Sequence, residues 1–124
     1  MRDEKETDMA EIIDDEQISM LLQGAGVDAI LPILEAFWES NDQLTAALEK
    51  GIAAGDPADI AATAHGLKGS SANLGANLVA GRAKDIEMAA KSGDLNTVRE
   101  LFQKLPADIA QTKDAFDKVI AAAA

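Results

Sequence analysis

The stretch DPADIAATAHGLKGSSANLGANLVAGRAKDIEMAAKSGD, residues 56–94, decides the fold. Asp56-Pro57 starts a helix: a capping side chain, then proline at the first helical position, where the missing N–H costs little. Ile60, Ala64, Leu67, Ser71 and Leu74 follow at three- and four-residue steps and form one face of that helix. Gly75 ends it in the left-handed conformation. A second helix, over about 77–92, turns Val79, Ala83, Ile86 and Ala90 inward, and Gly93-Asp94 closes it and caps the next. Two amphipathic helices joined by so short a turn pack antiparallel.

Outward from this pair the pattern stays helical. Residues 95–121 carry Val98, Phe102, Leu105, Ile109, Phe116 and Ile120 at helical spacing, and Pro106 inside that run predicts a kink or a break into two pieces. Upstream, Asp28 is placed to cap a long helix with the stripe Ile30, Leu34, Phe37, Asn41, Leu44, Leu48 and Ile52. Pro32 lies at the edge of its first turn, and Gly51 and Gly55 mark its end. A short helix before it is capped by Asp15, carries Ile18, Leu21 and Leu22 on one face, and stops at Gly24. Alternating strand patterns are absent, and alanine is abundant. The expected fold is all-α: an antiparallel four-helix bundle with a short additional N-terminal helix. Residues 1–13 read as a flexible acidic N-terminal arm in which Ile12 and Ile13 can dock, and residues 14–124 as the bundle.

Composition narrows the chemistry. A chain of 124 residues is one domain's length and can bury a core without staples. It has no cysteine and one histidine, so thiolate chemistry and Cys/His metal centres drop out, and no metal site is expected. A formal charge of −11 argues against nucleic-acid binding, which needs a basic face. No apolar run approaches the roughly 20 residues a spanning helix needs, so no membrane partner is expected. Without a recognisable signal segment the expected location is cytoplasmic, and the expected state a monomer.

The single histidine stands out. On a helix His65, Lys68, Gly69 and Ala72 share one face, offset from the apolar stripe, so His65 sits at the rim of the core. Glycine inside a helix costs about 1 kcal/mol relative to alanine, and at Gly69 the gain is a bare surface that lets another protein approach the ring. Gly66 has no such rationale. If the turn centres near Ala76, His65 and Glu87 lie level, and the Glu87 carboxylate can accept the Nδ1–H of the imidazole. That leaves Nε2 neutral and outward. Lys68 and Lys84 would flank the same spot. A nucleophilic nitrogen beside two ammonium groups suits a transient phosphoryl group. The competing reading of Glu87 is a surface carboxylate paired along its own helix with Lys84 or Lys91.

AHGLKGSSANLGA, residues 64–76, resembles the signature of histidine-containing phosphotransfer (HPt) domains, roughly A-H-x-L-K-G-[SA]-[SA]-x-x-[LI]-G-[AL], at every defined position over thirteen consecutive residues. The likeness extends more weakly along the chain, through the long preceding helix and the Ile86-Glu87 pair. Gly66 departs from the commoner threonine, and Pro106 is an oddity of the last helix.

The resemblance implies a four-helix bundle in which His65 accepts a phosphoryl group from a receiver-domain aspartate and passes it to another. Lys68 would steady the phosphoryl oxygens, Gly69 would give clearance, and Glu87 would orient the imidazole. Lys84 is a further candidate contact. The chain would be a carrier without kinase activity or cofactor of its own, with Mg²⁺ brought by the receiver domain. Its partners would be response-regulator receiver domains and a hybrid histidine kinase. Ile18, Met20 and Leu21 are candidates for the docking patch. The alternative is a helical interaction module that binds a receiver or kinase without being phosphorylated. A hydrolase with His65 as general base is disfavoured, because no serine, cysteine or aspartate completes a catalytic set.

Overall fold

The computed structural model describes residues 9–123, which fold into a helical bundle with no strand among them. The helices are α1 (Met9–Ile12), α2 (Asp15–Ala25), α3 (Val27–Ala54), α4 (Pro57–Asn73), α5 (Asn77–Lys91) and α6 (Leu95–Ala123). Residues 1–8 of the expected arm lie outside the described residues. At its far end Met9–Ile12 form a helical turn, and Ile13 is fully buried.

Capping side chains set several of the boundaries. Asp56 accepts from the Asp59 amide at 3.2 Å ahead of Pro57, and Asp94 accepts from the Thr97 amide at 3.1 Å. Several expectations about the boundaries are corrected. Asp14, not Asp15, caps α2, accepting from the Gln17 amide. That helix runs through Gly24 and ends at Gly26, whose φ of 85° only glycine adopts without strain. Helix α3 then begins at once at Val27, so Asp28 lies inside it and Pro32 beyond the first turn. Gly51 does not end α3. It is buried where the start of α4 presses close, and a Cβ there would meet Asp59 Oδ2 at 2.9 Å and Ile60 Cγ1 at 3.2 Å.

Pro106 does not break α6, which is continuous from Leu95 to Ala123. Proline removes one backbone donor and strands the carbonyl four residues earlier. Here the proline is exposed, so water can serve that carbonyl. Leu105 and Asp108 on either side are buried, and their packing holds the helix through the defect.

The turn between α4 and α5 carries the site's geometry. Gly75 has φ 76°, and the Ala76 amide reaches back to the Ser71 carbonyl at 2.8 Å, closing a Schellman cap. The start of α2 is stapled onto the same turn. The Asp14 amide donates to the Gly75 carbonyl at 2.7 Å, and Gln17 Nε2 donates to the Asn73 carbonyl at 2.7 Å. A Cβ at residue 75 would stand 3.1 Å from Asp14 Cβ. Gly75→Ala is therefore expected to destabilise by about 1–3 kcal/mol, from the left-handed backbone and from crowding. Urea unfolding measures it, and an unchanged midpoint would show that the turn relaxes freely.

Two apolar clusters fill the bundle. One joins Leu48, Ile60, Leu67, Val79, Ile86, Val98 and Leu105. The other joins Ile13, Ile18, Ile30, Phe37, Leu74 and Phe116. Along the chain, buried polar residues fall between them: Asn41 on α3, Ser71 on α4, and Asp108 and Thr112 on α6. Asp108 is paired by Arg82 of α5, at 2.6 Å from Nε and 3.2 Å from the terminal nitrogen, a two-pronged bond that ties α5 to α6. Neither the amide of Asn41 nor the Ser71 hydroxyl has a hydrogen-bond partner among the described residues. Periodicity along the chain did not foresee the Arg82–Asp108 pair.

Candidate functional site

The site lies on α4 and α5, more than two turns from the connection at Gly75. Helix α4 presents Ala61 and Ala64 inward, and α5 presents Ala83 and Ala90; these small side chains are buried and let the two helices approach closely. The register that follows brings His65 opposite Glu87. The His65 Nδ1 stands 3.0 Å from Glu87 Oε2. Lys68 Nζ is 2.9 Å from Oε1 of the same carboxylate, and Lys91 Nζ is 3.0 Å from Oε2.

Burial is uneven across this group. The Glu87 side chain is 6% exposed, whereas that of His65 is 65% exposed. A carboxylate this enclosed is costly to ionise unless paired, and here it has cations on both oxygens. Hydrogen bonds from Lys68 first and Lys91 second hold the Glu87 carboxyl down at about 2, against burial, which pushes it up; the His65 bond lowers it further. Glu87 is therefore ionised at neutral pH and can only accept hydrogen bonds. It follows that Nδ1 carries the proton and donates, and that the lone pair of the neutral ring sits on Nε2. No partner to Nε2 exists among the described residues, and the ring is largely in solvent. The arrangement is a fixed, outward imidazole nitrogen with an anion behind it and ammonium groups beside it.

The sign of the acid response follows from the Glu87 shift. Folded Glu87 binds its proton only near pH 2, whereas the free carboxyl titrates near 4.5. Its contribution to stability is complete above about pH 4.5 and disappears as pH falls towards 2. Asp94, lowered by its bonds to Thr97, acts in the same direction. Denaturant midpoints at pH 7, 4 and 2.5 are expected to fall in that order, less steeply in Glu87→Gln; equal slopes for the two proteins would remove Glu87 from the acid response.

The glycines of the motif differ. At Gly69 an added Cβ meets nothing within 4 Å, so the space one turn beyond the ring is open. At Gly66 a Cβ would rest 3.7 Å from Leu44 Cδ2, an ordinary contact, and nothing in the structure explains that glycine.

The remaining sequence-based candidates separate. Lys84 is exposed and makes no ion pair among the described residues; Lys91, two turns further along α5, pairs with Glu87 instead. Sequence reasoning named Lys91 only as a competing partner for Glu87, because helix periodicity alone does not say which lysine the carboxylate turns towards. Ile18 is not part of a surface patch: it is fully buried in the second core cluster, where α2 leans on the rest of the bundle. Met20, 67% exposed, and Leu21 do face solvent. A groove between α3 and α4, missed from sequence, is lined by Ile33, Phe37, Ser40, Ser70, Asn73 and Leu74. Its apolar floor mixes residues from two helices, so no single stretch of sequence displays it.

Comparison with known proteins gives the same direction. A family model described as Hpt domain matches residues 32–115, which include every member of the Glu87 cluster. The crystal structure of histidine-containing phosphotransfer protein B from Pseudomonas aeruginosa PAO1 aligns over 90% of both chains, with a TM-score of 0.61 and 30% sequence identity. Comparison with curated proteins gave no match. An imidazole held by its inner nitrogen within the span of that family model leads to one placement: this chain belongs to the Hpt domain family.

Proposed function

We propose that this chain is a phosphorelay intermediate in which Nε2 of His65 takes a phosphoryl group from the aspartyl phosphate of one response-regulator receiver domain and yields it to the aspartate of another. Membership of the Hpt family supports a role in histidine phosphotransfer. The observation that carries the reading is the 3.0 Å bond between Nδ1 and buried Glu87, on a ring that is otherwise exposed. In the forward step the Nε2 lone pair forms the N–P bond, the P–O bond to the donor aspartate breaks, and its electron pair stays on that carboxylate. The Nδ1 proton remains in place, so the phosphorylated ring is cationic and lies against the Glu87 anion. Onward transfer reverses these changes and restores the neutral ring.

Phosphoryl transfer leaves charge on the equatorial oxygens, and positioning with electrostatics supplies most of the catalysis. Lys68, one turn from His65 along α4, supplies the cation. Mg²⁺ comes with the receiver domain, and a hybrid histidine kinase feeds the relay. The chain acts as a carrier with no kinase activity of its own, on four long helices arranged as an antiparallel bundle. The receiver docks over the bare surface at Gly69, with Met20, Leu21 and the groove beside Ile33 as the apolar part of the contact. No helix among the described residues is long and apolar enough to cross a membrane, which fits a relay within the cytoplasm.

The test is incubation of the chain with radiolabelled, phosphorylated receiver domains of its host. Label is expected to move onto this chain and to be acid-labile and alkali-stable, as an N–P bond is. Binding without transfer would favour the non-phosphorylated interaction module.

A further inference from the structure

Glu87 has more cations than its orientation of His65 requires. One lysine would neutralise it, yet Lys68 holds Oε1 and Lys91 holds Oε2, the oxygen that also receives Nδ1. The two lysines are not equivalent. Lys68 lies on α4, one turn from His65, on the ring's own face. Lys91 lies on α5, one turn beyond Glu87, and reaches the carboxylate along its own helix. With the phosphocarrier reading as premise, a phosphoryl group on Nε2 is a second anion competing for Lys68. If Lys68 were the only lysine on Glu87, its departure would leave a carboxylate that is 6% exposed with the ring alone on one of its two oxygens, and an under-paired buried charge is destabilising.

We propose that Lys91 is a positioning residue, a standing counter-ion that keeps Glu87 paired while Lys68 swings from Oε1 to the phosphoryl oxygens. The hand-over leaves every charged group with a partner in both states. Before transfer, Lys68 and Lys91 share Glu87; during transfer, Lys91 and the cationic ring remain on Oε2 and Lys68 meets the incoming oxygens. Without Lys91, Lys68 stays committed to Glu87, and the developing charge is less well met. The exposed lysine thus acts through the buried carboxylate and the other lysine, without touching the phosphoryl group.

The experiment measures initial uptake of phosphoryl from phosphoramidate, a small donor whose own N–P bond breaks with loss of ammonia, so no receiver domain enters. Lys91→Met, which keeps the aliphatic stem, is expected to slow uptake roughly two- to fivefold, the size an exposed ion pair carries. Lys91→Arg is expected to restore it. In a Glu87→Gln background, where no charge is left to hold, Lys91→Met is expected to add no further slowing. An equal slowing in that background would place Lys91 on the phosphoryl group itself and overturn the hand-over. Normal uptake by Lys91→Met, with the wild-type chain labelled, would overturn it as well and leave the phosphocarrier reading intact. Wild-type chain that takes no label from either phosphoramidate or a phosphorylated receiver would sink that reading and this inference together.

Discussion

His65→Gln is expected to take up no phosphoryl group from a receiver domain or from phosphoramidate, while its far-UV circular dichroism stays that of the parent. The chemical half of this expectation rests on uniqueness: the chain has one histidine and no cysteine, so no other imidazole or thiolate can replace the lost nucleophile. The structural half rests on exposure. The ring is 65% exposed, and its one hydrogen bond among the described residues goes to Glu87, which keeps both lysines. Surface substitutions of this kind usually shift stability by no more than about 0.5 kcal/mol. Loss of label with an unchanged denaturant midpoint would therefore locate the chemistry on the ring. Label retained in the variant would show that another side chain carries the phosphoryl group.

The second large effect belongs to Glu87. Glu87→Ala removes both the acceptor for Nδ1 and the anion that, on the proposed mechanism, would face the ring once it carries a phosphoryl group. The imidazole can then rotate about its own bonds, and Nε2 spends less time in line with the donor. Misplacement of a reacting atom by about 1 Å costs on the order of 10²-fold, and phosphotransfer to or from a receiver is expected to slow by that order. Glu87→Gln separates the two contributions, because its side-chain carbonyl can still accept from Nδ1 but carries no charge. A rate between those of Glu87→Ala and the parent means that alignment and charge both matter. Parental rates in both variants would reduce the His65–Glu87 bond to a structural contact.

Much of this molecule was legible along the chain. Helices α4 and α5 and the turn between them follow from Asp56-Pro57, the stripes Ile60–Leu74 and Val79–Ala90, and Gly75, because caps, periodicity and a left-handed glycine are local properties. The pairing of His65 with Glu87 followed as well, since two helices joined by a short turn have a register set by that turn. Reasoning failed where an outcome depended on a third element. Ile18 reads as half of an exposed amphipathic face until α2 is seen leaning on α3 and α6. Pro106 reads as a breaker until Leu105 and the Arg82–Asp108 pair are seen holding both sides of it. Lys84, three residues before Glu87, and Lys91, four after it, are both within reach on a helix until the carboxylate is seen to turn towards the latter.

By itself, then, the sequence determined the helical class, the helix that carries the only imidazole, and the neighbouring helix that carries its carboxylate partner, because each depends on neighbours within a few turns of one another. Tertiary structure alone decided which lysines flank Glu87, how deeply that carboxylate is enclosed, and which apolar residues of α2 stay outside the core. Those outcomes rest on burial and long-range electrostatics, and both depend on which elements of the chain, distant in sequence, come to pack together.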